Sequence, residues 1–180
     1  MIFFEKLTYM FIFAENILNM KRDLLIKLLE EGDKVNLYSP VFDGEQYTEF
    51  EKFLLAYKDE YPFDIAQIIY RLDIVKRDGA HDRHFRYEGK KSDRLMALPS
   101  HLETSHLRVY LLNLETKVII LGNGGLKKSR TYEEDAHLSR CVKTLQRIDI
   151  QIRNRETTKE LVVKGTELLG ELSFVIETDD

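Results

Sequence analysis

Two apolar runs with a short gap between them constrain this chain more than any other feature. Residues 107–112 and 117–121 each suit a strand, and the few residues around Leu114 to Thr116 leave room only for a short turn. In the first run Arg108, Tyr110 and Leu112 share one face by period two, while Leu107, Val109 and Leu111 share the other. Arg108 therefore stands on a strand, near its start. A further strand is expected at residues 95–98, and another at 34–42, running into the Asp43-Gly44 turn. Pro40 marks that last strand as an edge or the site of a bulge.

Between these strands the spacing of apolar residues is helical. Asn16 or Asn19 can cap a helix that carries Ile17, Met20, Leu24 and Leu28 and stops at Gly32. Thr48 with Glu51 has the form of a capping box, and the helix it opens places Phe50, Phe53, Leu54 and Tyr57 on one face. Pro62 interrupts that helix. A second one restarts at Asp64 and Gln67, carries Ile65, Ile68, Ile69, Leu72 and Val75, and closes at Gly79, completing a helical hairpin. Thr131 with Glu134 forms a second capping box before Leu138, Val142, Leu145, Ile148 and Ile152, a helix running to about Arg155. Residues 161–163 and 172–176, set off by Gly165 and Gly170, lean towards strands through their β-branched and aromatic content.

Composition bounds the class. With 43% hydrophobic and 32% charged residues and only 9 Gly and 3 Pro in 180 residues, the chain can bury a core and is not a low-complexity segment. Cys141 is its one cysteine, which excludes an internal disulfide and suits a reducing compartment; cytoplasm is the expected location. The apolar run from Ile2 to Phe13 is too short for a bilayer, is interrupted by Glu5 and Lys6 and lacks signal-peptide form, so it reads as core strand material with no membrane partner. Net charge is −4, yet residues 76–130 hold twelve Lys and Arg against six acids, a balance of +6 that leaves −10 on the remainder. A basic centre can hold a polyanion locally, because a field reaches only about a Debye length, ~8 Å at physiological salt.

The order of a helical hairpin, a meander of strands, an Arg on the penultimate strand and a basic cluster before a last helix resembles the RelE/ParE-like toxin superfamily, in its HigB-like and related phage branch. The resemblance is carried by residues 107–111, by 118–122 and by Gly124-Gly125-Leu126-Lys127-Lys128-Ser129-Arg130-Thr131-Tyr132. It implies an α+β fold: a small antiparallel sheet with an N-terminal helical hairpin and a C-terminal helix. Residues 45–158 would be its core, 1–44 an N-terminal extension of strand, helix and strand packed on it, and 159–180 a C-terminal hairpin or tail.

The function implied is that of a type II toxin-antitoxin system, RNA binding or metal-independent cleavage of mRNA. A 2′-hydroxyl attacks the adjacent phosphate while cationic side chains stabilise the charge that builds there. By the resemblance Arg108 and Arg130 stabilise the phosphate, Lys127 and Lys128 bind the RNA backbone, and Tyr132 or His84 moves the proton. RNA or the ribosome and a protein antitoxin are the implied partners. A homo-oligomer stays open, and no cofactor is implied. In the loop at 80–92, Arg83, Arg86, Lys90 and Lys91 interleave with Tyr87, a pattern suited to single-stranded RNA. A reading of another class is a non-catalytic protein-interaction module that uses the acidic ends or the helix at 17–29.

Three other motifs weigh less. His81-x-x-His84 with Asp82 could begin a zinc or iron site, but it lies in an expected loop with no second compact pair, so loop histidines are the simpler account. Residues 122–129 approach the phosphate-binding loop pattern, yet Lys127 stands where its second glycine belongs, and the glycines better permit a sharp turn or a bulge. Cys141, beside Val142 on a helix, reads as a buried small hydrophobe. Whether Arg108 meets the basic cluster on an open face, or is paired with a carboxylate in the core, discriminates phosphate chemistry from a structural role.

Overall fold

The computed structural model describes residues 20–88, 94–100, 106–128 and 131–178. The expected hairpin forms as β5 (Leu107–Leu114) and β6 (Val118–Leu126), paired antiparallel. Every residue of β5 is buried, because both of its faces are covered. One face packs Tyr110, Leu112 and Leu114 against the helix α3 (Ala136–Thr158) through Leu138, Val142, Leu145, Ile148 and Ile152. The other packs Leu107, Val109 and Leu111 against α1 (Glu49–Tyr57) and α2 (Pro62–Asp78) through Phe50, Phe53, Ile68, Leu72 and Val75. Thr48 caps α1 as its spacing predicts, accepting from the Glu51 amide while Glu51 accepts from the Thr48 amide.

The sheet is neither small nor purely antiparallel. With β1 (Met20–Glu30), β2 (Asn36–Phe42), β3 (Arg86–Tyr87), β4 (Leu95–Leu98) and β9 (Ser173–Thr178), it has seven described strands in the order β3-β4-β5-β6-β2-β1-β9. β2 runs parallel to β6, setting Asn36 opposite Val118 and Tyr38 opposite Ile120. The described helices follow β1 and β2, so the RelE/ParE-like arrangement of an N-terminal helical hairpin on a small antiparallel sheet is overturned. The architecture is a mixed sheet with helices on both faces.

The helix expected from Asn16 or Asn19 to Gly32 is β1 over its described part. Leu, Lys, Met and Glu dominate Met20–Glu30, and they favour helix locally. Pairing on both sides overrides that preference: β2 lies along one edge and β9, some 150 positions away in the chain, along the other. Leu24 and Ile26, two apart, are the buried residues, whereas Met20 and Leu28 of the supposed helical stripe are exposed. β2 is likewise internal rather than an edge. Pro40 sits opposite Ile26 of β1, beyond Tyr38, the last β2 residue paired with β6, so no ladder bond to β6 needs its missing amide. The start of α3 is also shifted: Asp135, not Thr131, caps it, accepting from the Leu138 amide at 2.9 Å.

The glycines after Leu121 continue β6 instead of breaking it. Gly122 and Asn123 together oppose Tyr110, a bulge that re-aims the end of the strand. The tail forms the hairpin β7 (Leu161–Lys164) and β8 (Glu167–Gly170), turning at Gly165 with φ 63°, before β9 returns to β1. The apolar run at 2–13 lies outside the described residues. Among the described residues no helix is long and apolar enough to cross a membrane.

Candidate functional site

Strand periodicity places Arg108 and Tyr110 on the α3 side of the sheet, as the alternation of residues 107–112 predicts. Cross-strand register extends that row: Tyr110 opposes Ala97 on β4, and Ala97 opposes Arg86 on β3. Opposed residues share a face, so Arg86 is carried to the same side with only a methyl group between it and Tyr110. Glu88, two residues beyond Arg86, reaches back across that gap. Its Oε1 accepts from Arg108 Nη1 at 3.0 Å and stands 3.5 Å from Arg86 Nε.

Lys127 enters from the end of β6. Arg108 opposes Gly125, and the Lys127 amide donates to the His106 carbonyl at 2.7 Å, which fixes the residue beside the start of β5. Tyr132 completes the group from the turn ahead of α3, its ring edge-on to Tyr110 with centroids 6.3 Å apart. Arg86, Glu88, Arg108, Tyr110, Lys127 and Tyr132 thus line one recess closed by Leu138. Its volume is about 10 Å³, space for roughly one water molecule.

Among the described residues three cations here face one carboxylate. Arg108 and Glu88 are 6% and 7% exposed, so their pairing is a buried ion pair and the guanidinium is not open to solvent. Arg108 Nε is buried without a hydrogen-bond partner among the described residues. Lys127 is exposed, and its ammonium is held below the ordinary lysine range by the Arg108 charge, then by partial burial, then by Arg86. The Tyr110 hydroxyl is pushed well above its ordinary value by burial and by the Glu88 charge, which keeps it a neutral donor.

The other expected residues scatter. His84 does not line this recess; its ring lies edge-on to Phe85, in the core formed with α1 and α2, on the opposite face from Tyr110. Burial and the charge of Arg83 lower its pKa, so it stays neutral at pH 7. Arg83 and Lys128 are exposed. The Tyr87 hydroxyl donates to Asp82, and its ring packs on the α2 side of the sheet. Lys90, Lys91 and Arg130 lie outside the described residues. Among the described residues no group of three or more His, Cys, Asp and Glu side chains is placed to hold a metal ion, so His81, Asp82 and His84 do not gather as ligands.

Two members of the recess escaped the sequence reading. Glu88 was legible in principle, because Arg86-Tyr87-Glu88 alternates charge, ring and charge as a strand with both charges on one face. Tyr110 was placed on the face of Arg108 by strand alternation and given no role. No family model matches this chain, and neither a curated protein nor a solved structure matches it.

Proposed function

We propose that this protein binds RNA through its phosphates at Lys127 and Arg86, beside the buried Arg108–Glu88 pair, without cleaving it there. The observation that carries the reading is the excess of charge: among the described residues three cations line a recess with Glu88 as its one carboxylate, and the Lys127 ammonium is destabilised by the two arginines. A phosphate drawn against Lys127 and Arg86 relieves that repulsion, and the gain is electrostatic and independent of base sequence. Lys128, exposed and next in the chain, extends the basic rim.

Cleavage has less to stand on. A guanidinium that stabilises a phosphorane must approach two of its oxygens, and Arg108 spends Nη1 on Glu88 inside a recess of about 10 Å³. The toxin assignment leaned on helices placed ahead of a small sheet, whereas the described helices follow β1 and β2 of a seven-stranded one. RNA binding stands on the charges themselves.

The test is fluorescence anisotropy with a labelled single-stranded RNA across a salt series. Replacing Lys127 and Arg86 by Gln together removes two phosphate contacts, so the slope of log K against log salt becomes shallower by about 1.4, some 0.7 per contact. A double variant that binds with the affinity and slope of the parent overturns the reading. RNA cut by the parent and left intact by Arg108→Lys would restore the nuclease.

A further inference from the structure

The helix α2 is apolar on two opposite sides. Ile68, Leu72 and Val75 form the side buried against the sheet. Phe63, Tyr70 and Ile74 follow one another at steps of seven and four, which at 3.6 residues per turn puts them on the side turned away from it. Phe63 is 84% exposed and Tyr70 63%. Among the described residues no hydrophobic cluster takes up any of the three. A surface helix ordinarily needs one apolar face, so a second stripe marks a surface that another chain covers.

The charges at its two ends select that chain. Asp59 and Glu60 are exposed just ahead of α2, whereas Arg77 is exposed in its last turn and Arg83 just beyond it. Lys58 and Asp78, both exposed, offset one charge at each end, which leaves a negative lead and a positive close. Lys76 pairs with Asp73 and Glu30, and Asp64 accepts from the His106 amide, so those groups are engaged within the chain. A helix of the same charge pattern laid parallel sets like charge against like. Laid antiparallel, it brings each acidic lead to a basic end. A second copy of this chain meets that requirement about a two-fold axis beside Tyr70.

We infer that two copies of this chain pair antiparallel through the outer stripe of α2. With Tyr70 against its own counterpart, Phe63 and Arg77 lie seven residues to either side of the axis, about 10 Å along the helix. Each Phe63 therefore comes level with Arg77 of the second copy, and its ring inserts among Tyr70, Ile74 and Arg77 there. The guanidinium lies over the ring face. Arg77 is poised for this, because its Nε donates to the Asp73 carbonyl at 3.2 Å, which lays the side chain along the helix. Ala66, next to Tyr70 on the stripe, lets the two helices approach. One helix against its copy belongs with the small, transient interfaces below about 1,200 Å². The recess around Arg108 stays open, since it lies on the other face of the sheet.

Sedimentation equilibrium of the full chain from about 10 μM to 1 mM tests this. The parent shifts from monomer to dimer across that range. Tyr70→Glu sets two carboxylates against each other at the axis and weakens the dimer at least about tenfold. Phe63→Lys also weakens it, because the new ammonium meets Arg77 of the second copy, and adding Arg77→Glu to Phe63→Lys restores it. All three positions are exposed, and circular dichroism melts show that the variants fold as the parent does. RNA affinity is unchanged in Tyr70→Glu, so the two surfaces succeed or fail separately. A parent that stays monomeric through 1 mM overturns the inference, even if the stripe is taken by a different protein. So does a dimer that Tyr70→Glu leaves intact, or a double variant that dimerises no better than Phe63→Lys.

Discussion

Replacing Glu88 by Gln keeps the shape of the recess and deletes the one negative charge among its described residues. The parent pair is buried on both sides, at 6% and 7% exposure, with 3.0 Å between Arg108 Nη1 and Glu88 Oε1. Breaking a buried pair by removing one partner costs about 3–5 kcal/mol, because the remaining charge stays buried without compensation. Arg86 and Lys127 push the cost to the upper end, since both repel the orphaned guanidinium. For a domain of this size each kcal/mol moves Tm by roughly 2–4 °C, so the loss expected is about 6–20 °C. Thermal and urea melts followed by circular dichroism at pH 7, in low and high salt, measure the two losses; screening restores little, because a buried charge is poorly reached by ions. The double variant Glu88→Met with Arg108→Met removes both charges and loses less than Glu88→Gln alone. A Glu88→Gln protein within about 0.5 kcal/mol of the parent would refute the reasoning.

Thr48→Ala removes a buried N-cap and one half of the capping box, and lowers stability by about 1–2 kcal/mol in the same melts. At Gly124 a Cβ would stand 2.0 Å from the Arg108 carbonyl oxygen, so Gly124→Ala pushes β5 and β6 apart and yields little soluble protein on expression. His84 has its pKa lowered in the folded chain, so between that value and the ordinary 6.5 the unfolded chain binds more protons. Stability therefore falls as the pH drops below about 6.5, and His84→Gln flattens that part of the profile when Tm is compared at pH 7.5, 6.5 and 5.5.

Much of this was legible locally. The Thr48 and Glu51 box, Gly79 at the end of α2 and the two faces of residues 107–112 are local signals, and each appears where its spacing places it, whereas Pro62, read as an interruption ahead of a helix restarting at Asp64, is the first residue of that helix. What failed depended on distant partners. Met20–Glu30 carries helix-forming residues and becomes a strand because residues 173–178 pair with its far edge, which no window of neighbouring residues reveals. Thr131 and Glu134 have capping-box form, yet their side chains approach only to 3.4 Å and Asp135 takes the amide. Arg108 was singled out with a basic group, but its buried counter-charge is Glu88, just past a short edge strand that the polar composition of its loop concealed.

The central claim is that Lys127 carries surplus positive charge which a phosphate relieves. Its most direct test is the titration of the Lys127 ammonium by NMR in selectively labelled protein, alone and with a 2′-O-methyl oligonucleotide that withstands alkaline conditions. Alone, Lys127 titrates below the ordinary lysine value of 10.5, as the charges of Arg108 and Arg86 require. With the oligonucleotide bound it titrates higher than it does alone, by linkage the same statement as tighter binding to the charged form. A Lys127 that titrates at the same pH with and without the oligonucleotide, while the oligonucleotide is bound, contradicts the account.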